Sequence, residues 1–324
     1  MTRYLLADIG GTHTRLAESE PGGRPVATER FNNSEFTDAA ELFVTRAARH
    51  AREHPGQDLI VGAAVAGPVT AGRAQMTNID WVIDADDLAL ATASQDAVVI
   101  NDYQALARSL PELTSDDLAP INGAAESFPT ISEPLAVLGP GTGLGVAGAM
   151  PSSSGWAVIS GEGGHVTLAA ADDEEAQVLS YLRADLGHVS AESLLSGSGL
   201  ERLHEALHGE RLAAPQISKA ADAQQSSALR TLDLFFRFLG TTAGNLALTL
   251  GARGGIYLAG GILAKLGPER VINSRLQERL VAKGRFADYL SPIPVYLIKD
   301  PDFAALLGLR AWLDDLVCAS QGGR

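Results

Sequence analysis

The chain has 324 residues, of which 46% are hydrophobic and 20% charged, with a formal net charge of −14. This is the composition of a globular protein with an ample core, and the acidic balance argues against nucleic acid or an anionic membrane as a main partner. No apolar run approaches the ~20 residues that cross a bilayer, and the single Cys318 excludes both an internal disulfide and a cysteine-rich zinc site.

In chain order, the opening "MTRYLLADIGG" lacks the length and cleavage pattern of a signal peptide, so a cytoplasmic location is the expectation. Tyr4–Ile9 and Thr14–Ser19 read as strands, with a turn between strands at Glu20–Pro25. Phe36–Glu53 reads as an amphipathic helix. Asp58–Gly67 is a continuous apolar run, the pattern of a strand covered on both faces. Asp84–Ala93 reads as helix, and Ala97–Asp102 as a second buried strand that ends in Asn-Asp. Strands alternating with helices of these lengths predict an α/β fold. The turn-rich stretch Pro111–Pro134 predicts a lobe boundary. Beyond it come the apolar runs Pro134–Ala149 and Trp156–Val166, then a mostly helical region. Ser227–Leu250 carries Leu229, Leu232, Phe236, Leu239, Ala243, Leu246 and Leu250 in steps of three and four, which predicts a long helix burying one stripe. Gly254–Ile262 reads as a buried strand running into a Gly-Gly turn, Ile293–Asp300 as the last strand, and Phe303–Val317 as a closing helix. Gly11-Thr12 and Gly141-Thr142 each sit between two apolar runs at equal offsets, which suggests a duplicated architecture.

Three glycine turns carry the chemistry. In "DIGGT" the backbone can approach a ligand closely and present amides to phosphate oxygens. Thr12 adds a hydroxyl, and Asp8 can orient a hydrated Mg²⁺. A tight hairpin with a locally satisfied aspartate is the competing reading. "GPGTGLG" (Gly139–Gly145) has its third glycine at the wrong offset for a dinucleotide fingerprint and continues as strand, so a second phosphate-facing hairpin fits better, with Thr142 and Gly143 as donors. No P-loop spacing is present. "VVIND" places Asn101 and Asp102 where a buried strand emerges. There Asp102 can take a proton from a substrate hydroxyl, or it can cap the next helix. Glu162 and His165 in "GEGGHV", Glu192 in "GHVSAE", Asn101 and Asp102 form a set able to read vicinal sugar hydroxyls; Glu192 on a solvated helix face is the alternative. Glycoside hydrolysis has no need of the glycine turns, and "LSGSGLE" lacks the nucleophile-elbow spacing.

Taken in order and spacing, "ADIGGT" (Ala7–Thr12), "AGPV" (Ala66–Val69), "MTN" (Met76–Asn78), "IND" (Ile100–Asp102), "GPGTGLGVA" (Gly139–Ala147), "GEGGHV", "GHVSAE", "LSG" (Leu195–Gly197), "GNLAL" (Gly244–Leu248), "AGGI" (Ala259–Ile262), "KGRF" (Lys283–Phe286) and "IPVYLI" (Ile293–Ile298) run nearly end to end. With them the chain resembles bacterial glucokinases of the hexokinase-like, actin-like ATPase superfamily. The resemblance implies a two-lobed actin-like (ribonuclease H-like) α/β fold with a central cleft. It implies a smaller lobe of residues 1–111 plus 302–324, a larger lobe of 112–301, and a homodimer. It implies ATP- and Mg²⁺-dependent phosphorylation of the glucose 6-hydroxyl, with Asp102 as catalytic base. Asn78, Asn101, Asp102, Glu162, His165 and Glu192 would meet the sugar. Ala7, Asp8, Ile9, Gly10, Gly11 and Thr12 would form the first phosphate turn and Thr142 and Gly143 the second, with Gly260 and Gly261 bordering the adenosine. No side-chain cluster for direct metal ligation is implied, only Asp8 through water. Tyr103 stands where phenylalanine is usual, His13 where asparagine is frequent, and Ser198 where proline is common; "PDFAALLG" (Pro301–Gly308) is looser than the usual closing motif.

Overall fold

A computed structural model describes residues 2–76, 79–123, 132–153 and 155–322. The chain forms two compact units. One comprises Met1–Thr114, Ser152–Val158 and Asp300–Arg324; the other comprises Ser115–Pro151 and Ile159–Lys299.

The first unit is built on strands β1 (Thr2–Ile9), β2 (His13–Ser19), β3 (Val26–Asn32), β4 (Asp58–Val65) and β8 (Asp96–Asn101), in the order β3-β2-β1-β4-β8. A small three-stranded sheet joins β5 (Val69–Thr70), β6 (Arg73–Gln75) and β7 (Val82–Asp84). β1 runs antiparallel to β2 and parallel to β4, and β4 is parallel to β8. Covered on both faces, β1 reads as a nearly unbroken apolar run. Leu5, Ala7 and Ile9 face Leu42 and Phe43 of the helix Ala39–Glu53. Tyr4 and Leu6 face Leu306, Leu309 and Leu313 of the closing helix Pro301–Gly322. By the strand period of two, Asp8 lies on this second face.

The helix expected from Phe36 starts at Ala39. Asp38 caps it, its Oδ1 accepting from Glu41 N at 3.0 Å, while Phe36 closes the short 3₁₀ turn Asn33–Glu35. The closing helix lies so near the helix Asp102–Ser109 that a Cβ on Gly308 would sit 1.7 Å from the Ala105 carbonyl oxygen. Gly308→Ala is therefore expected to cost about 3 kcal/mol, at the upper end of overpacking penalties, and a urea titration measures it.

The six-stranded sheet, which lies in the second unit apart from Ser152 and Gly155–Val158, repeats the plan. Strands β9 (Leu118–Pro120), β10 (Leu135–Pro140), β11 (Leu144–Ser152), β12 (Gly155–Ser160), β13 (Gly255–Leu258) and β14 (Val295–Ile298) lie in the order β12-β11-β10-β13-β14-β9. β10 is antiparallel to β11 and parallel to β13, which is parallel to β14. The pattern β3-β2-β1-β4-β8 thus recurs as β12-β11-β10-β13-β14, and the two Gly-Thr turns are equivalent hairpin turns within it. The echo extends to single bonds: Ala66 N donates to Ile9 O after β4, and Ala259 N to Leu138 O after β13.

The long helix spans Ser226–Leu250, but it does not bury a single stripe. Leu234 to Thr241 are buried without interruption, whereas Leu229 is exposed. A helix buried all round needs no amphipathic period, and its centre is packed into the core of the unit with Phe235, Phe236, Phe238 and Leu239. The helix Asp173–Leu186 is anchored near its start by fully buried Glu175, which pairs with Arg237 and Arg279 at 3.1 Å each. Its far end delivers the chain to Gly187–Glu192.

Candidate active site

In the first unit, β1 and β2 are joined by Gly10, Gly11 and Thr12. Gly10 N donates to His13 O at 3.0 Å and closes the turn, while the amides of Gly11 and Thr12 have no protein partner among the described residues. A pocket of about 420 Å³ opens against Gly11 and Thr12, walled by Asn32, Phe36, Thr37 and Trp81. Ala7, Asp8 and Ile9 are buried in β1 just before the turn.

Asp8 is opposite Arg15 in the β1–β2 register, and Arg15 Nη1 stands 3.5 Å from its Oδ2. The other end of the same guanidinium holds Asp302, in the first turn of the closing helix, at 2.5 Å. Burial raises the Asp8 carboxyl to about 8; the charges of Asp302 and Asp102 add to that, and Arg15 opposes it. Burial also raises Asp302. Such a carboxyl, desolvated among like charges, gains most from a cation. No group of three or more ligating side chains is present among the described residues. That donor set fits Mg²⁺, which keeps most of its waters and takes the rest of its shell from phosphate oxygens.

At the carboxyl end of β8 the structure separates two roles that the sequence left open for Asp102. The cap of the helix Asp102–Ser109 is Asn101, whose Oδ1 accepts from Tyr103 N at 2.9 Å; Gln104 Oε1 in turn accepts from Asn101 N at 3.1 Å. Asn101 Nδ2 also donates to Gly67 O at 2.9 Å. Asn101 is thus a fixed post, and Asp102 is the first helical residue, its Oδ1 also 2.9 Å from Tyr103 N. The sheet register aligns Asp8 with Ala64 and Ala64 with Ile100, so Asp8 and Asp102 emerge at the same edge of the sheet, where open α/β sheets bind ligands. Burial first, and the Asp102 charge second, push the Tyr103 hydroxyl well above its usual range, so it stays neutral there.

In the second unit, Glu162, His165 and Glu192 come together. The His165 ring lies between the two carboxylates, Nε2 3.9 Å from Glu162 Oε2 and Nδ1 3.9 Å from Glu192 Oε1. Glu192 is not on a helix face. Glu192 N donates to Gly164 O at 2.8 Å, and its Oε2 accepts from Leu144 N at 2.8 Å, at the end of the Gly141–Gly143 turn. Gly164 is required for this approach, since a Cβ there would lie 2.1 Å from Leu144 O. Glu162, His165, Glu192 and the second glycine turn are therefore one local assembly. Gly260, at φ 91°, packs on the end of β10 just before that turn, where a Cβ would meet Pro140 O at 2.4 Å, and Gly261 opens the short helix that follows. Asn78 lies outside the described residues.

Sequence reasoning missed Arg15 and Asp302, which meet from opposite ends of the chain. It also missed Gly197, whose N donates to Gly141 O at 2.9 Å, and buried Asn33 behind the first turn. Of these, Gly197 lay in the motif "LSG" and Asp302 in "PDFAALLG", neither singled out for a role.

A model of the family described as Glucokinase matches residues 5–316. A glucokinase of Aromatoleum aromaticum is 40% identical over 327 residues, covering 98% of this chain and 96% of the relative. One from Paramagnetospirillum magneticum is 38% identical over 320 residues, covering 96% and 97%. The crystal structure of a glucokinase from an Antarctic psychrotroph superposes with a TM-score of 0.84 at 33% identity, over 96% of this chain and 98% of that one. The fold is accordingly the actin-like ATPase fold. By the reach of the family model and the identity of these relatives, the chain belongs to the glucokinase family, sugar kinases that phosphorylate glucose with ATP.

Proposed function

We propose that Asp102 is the base of this reaction, that Asn101, Glu162, His165 and Glu192 hold the sugar with Asn78 beside them, and that the two Gly-Thr turns hold the nucleotide's phosphates. The observation that carries the reading is the emergence of Asp102 beside Asp8 at one sheet edge, with the cap role taken by Asn101. Asp102 accepts the proton of the 6-hydroxyl as that oxygen bonds to the γ-phosphorus. The bond from the γ-phosphorus to the β–γ bridging oxygen breaks, and ADP departs. Amides of Gly11, Thr12, Thr142 and Gly143 meet phosphate oxygens, and Gly260–Gly261 border the adenosine. Asp8 would hold Mg²⁺ through water; the ion supplies positive charge against the phosphates' developing charge. The carboxylates of Glu162 and Glu192 accept from vicinal hydroxyls, and His165 between them donates or accepts.

The test is a coupled assay of ADP release across glucose, fructose, mannose and an N-acetylhexosamine, with ATP or polyphosphate as donor. Glucose with ATP is expected to give the highest kcat/KM; turnover of another hexose with glucose inert overturns the reading. In the same assay Glu162→Ala is expected to raise KM for glucose roughly 10- to 100-fold, the worth of a hydrogen bond to a charged group, with a smaller change in kcat. An unchanged KM removes Glu162 from the sugar set.

A further inference from the structure

We propose that Asn33 is a positioning residue that aims the amide of Gly11 at the nucleotide's phosphates by holding the Gly10 carbonyl from behind. The inference rests on the assignment of Gly10–Thr12 as a phosphate turn. Asn33 is 1% exposed and sits just past β3, at the start of the short 3₁₀ turn. Its Nδ2 donates to Gly10 O at 2.8 Å, and its backbone N donates to Thr12 O at 2.9 Å. The hydroxyl of Thr14, itself fully buried, donates to Asn33 Oδ1 at 2.8 Å and so fixes which end of the carboxamide faces Gly10.

A trans peptide is planar, with its C=O and the following N–H pointing in opposite directions. Holding the Gly10 carbonyl toward Asn33 therefore turns the Gly11 N–H directly away from it. Two consecutive glycines would otherwise sample many orientations of that amide, and a phosphate would have to order them on binding. Asn33 meets this ordering cost during folding.

The second turn shows the same device with different parts. Gly141 is the first residue after β10, and its carbonyl is held by Gly197 N at 2.9 Å. That bond turns the Thr142 N–H away in the same manner. A side-chain amide in one unit thus does the work of a main-chain amide in the other.

Asn33→Asp keeps the shape and can still accept from Thr14, but it cannot donate to Gly10 O. Asn33→Ala removes the contact without adding charge. Both are expected to raise KM for ATP, and Kd for a non-hydrolysable ATP analogue measured by calorimetry, about tenfold or more. The Kd for glucose, measured alone, is expected to stay within twofold. Thr14→Val, which loses only the orienting hydroxyl, is expected to give a smaller rise in the same direction, and serves if the Asn33 variants do not fold. Folded variants that bind the analogue as tightly as the parent overturn the inference, as does an equal loss for glucose and nucleotide. A parent protein that binds no analogue overturns the phosphate-turn assignment instead.

Discussion

Asp102→Asn is expected to lower kcat by roughly 10²- to 10⁴-fold, the range of a general base, while the Kd for glucose changes less than about threefold. The substitution preserves shape and the capacity to accept a hydrogen bond from the sugar, but an amide does not take the hydroxyl proton. The local structure makes this a clean experiment. The cap is Asn101, tied to Tyr103, Gln104 and Gly67, so the helix start survives the change. Asn101→Ala is the contrasting case, since it removes the post on which Asp102 stands. Stopped-time ADP assays with saturating substrates measure kcat, and calorimetry measures glucose binding. Near-parental kcat in Asp102→Asn would falsify the assignment.

The parts of the molecule that were legible in the sequence are those in which local pattern and tertiary context agree. The strands at Tyr4–Ile9 and Asp58–Val65 are buried on both faces, so an unbroken apolar run is itself their signature. The two glycine turns were visible because close backbone approach admits few other residues, and their equal offsets suggested a duplicated architecture, of which the sheet order gives the detail. Glu162, His165 and Glu192 were named, with Asn101 and Asp102, as one set on chemical type, and Gly164, which lets two loops meet, lies in the motif of Glu162 and His165. What stayed hidden depends on contacts between distant segments. The all-round burial of Leu234–Thr241, at the centre of the helix Ser226–Leu250, interrupts the period from which a single stripe was expected. Asn33 lies in "FNNSEF", where nothing in composition separates a clamp from an ordinary turn residue. Asp302 meets Arg15 only because the closing helix returns to the face of β1 that carries Tyr4, Leu6 and Asp8.

That same face gives Asp8 an unfavourable charge in the absence of substrates, and Asp8→Asn is expected to stabilise the free protein while disabling it. The Asp8 carboxyl is raised to about 8 in the fold, against about 3.9 in an unfolded chain. Between those values the folded state holds a proton that the unfolded state has released. Stability therefore falls as pH rises from about 4 to about 8, and levels off above, where both states are ionised. An asparagine never ionises, so its advantage is small near pH 4, grows through neutrality and is largest from pH 8 upward, on the order of a few kcal/mol there. Arg15 opposes the penalty, but its guanidinium is shared with Asp302, and the 3.5 Å contact to Asp8 is the longer of the two. Urea titrations of the metal-free and nucleotide-free protein at pH 5, 7 and 9 measure the trend, and ADP assays on the same samples measure the cost in turnover. A variant less stable than the parent at pH 9, or a gain that does not change with pH, would mean that the Asp8 charge is already compensated within the fold. A gain that rises with pH, alongside lost turnover, would mark Asp8 as a carboxylate kept in a place where only a bound cation relieves it.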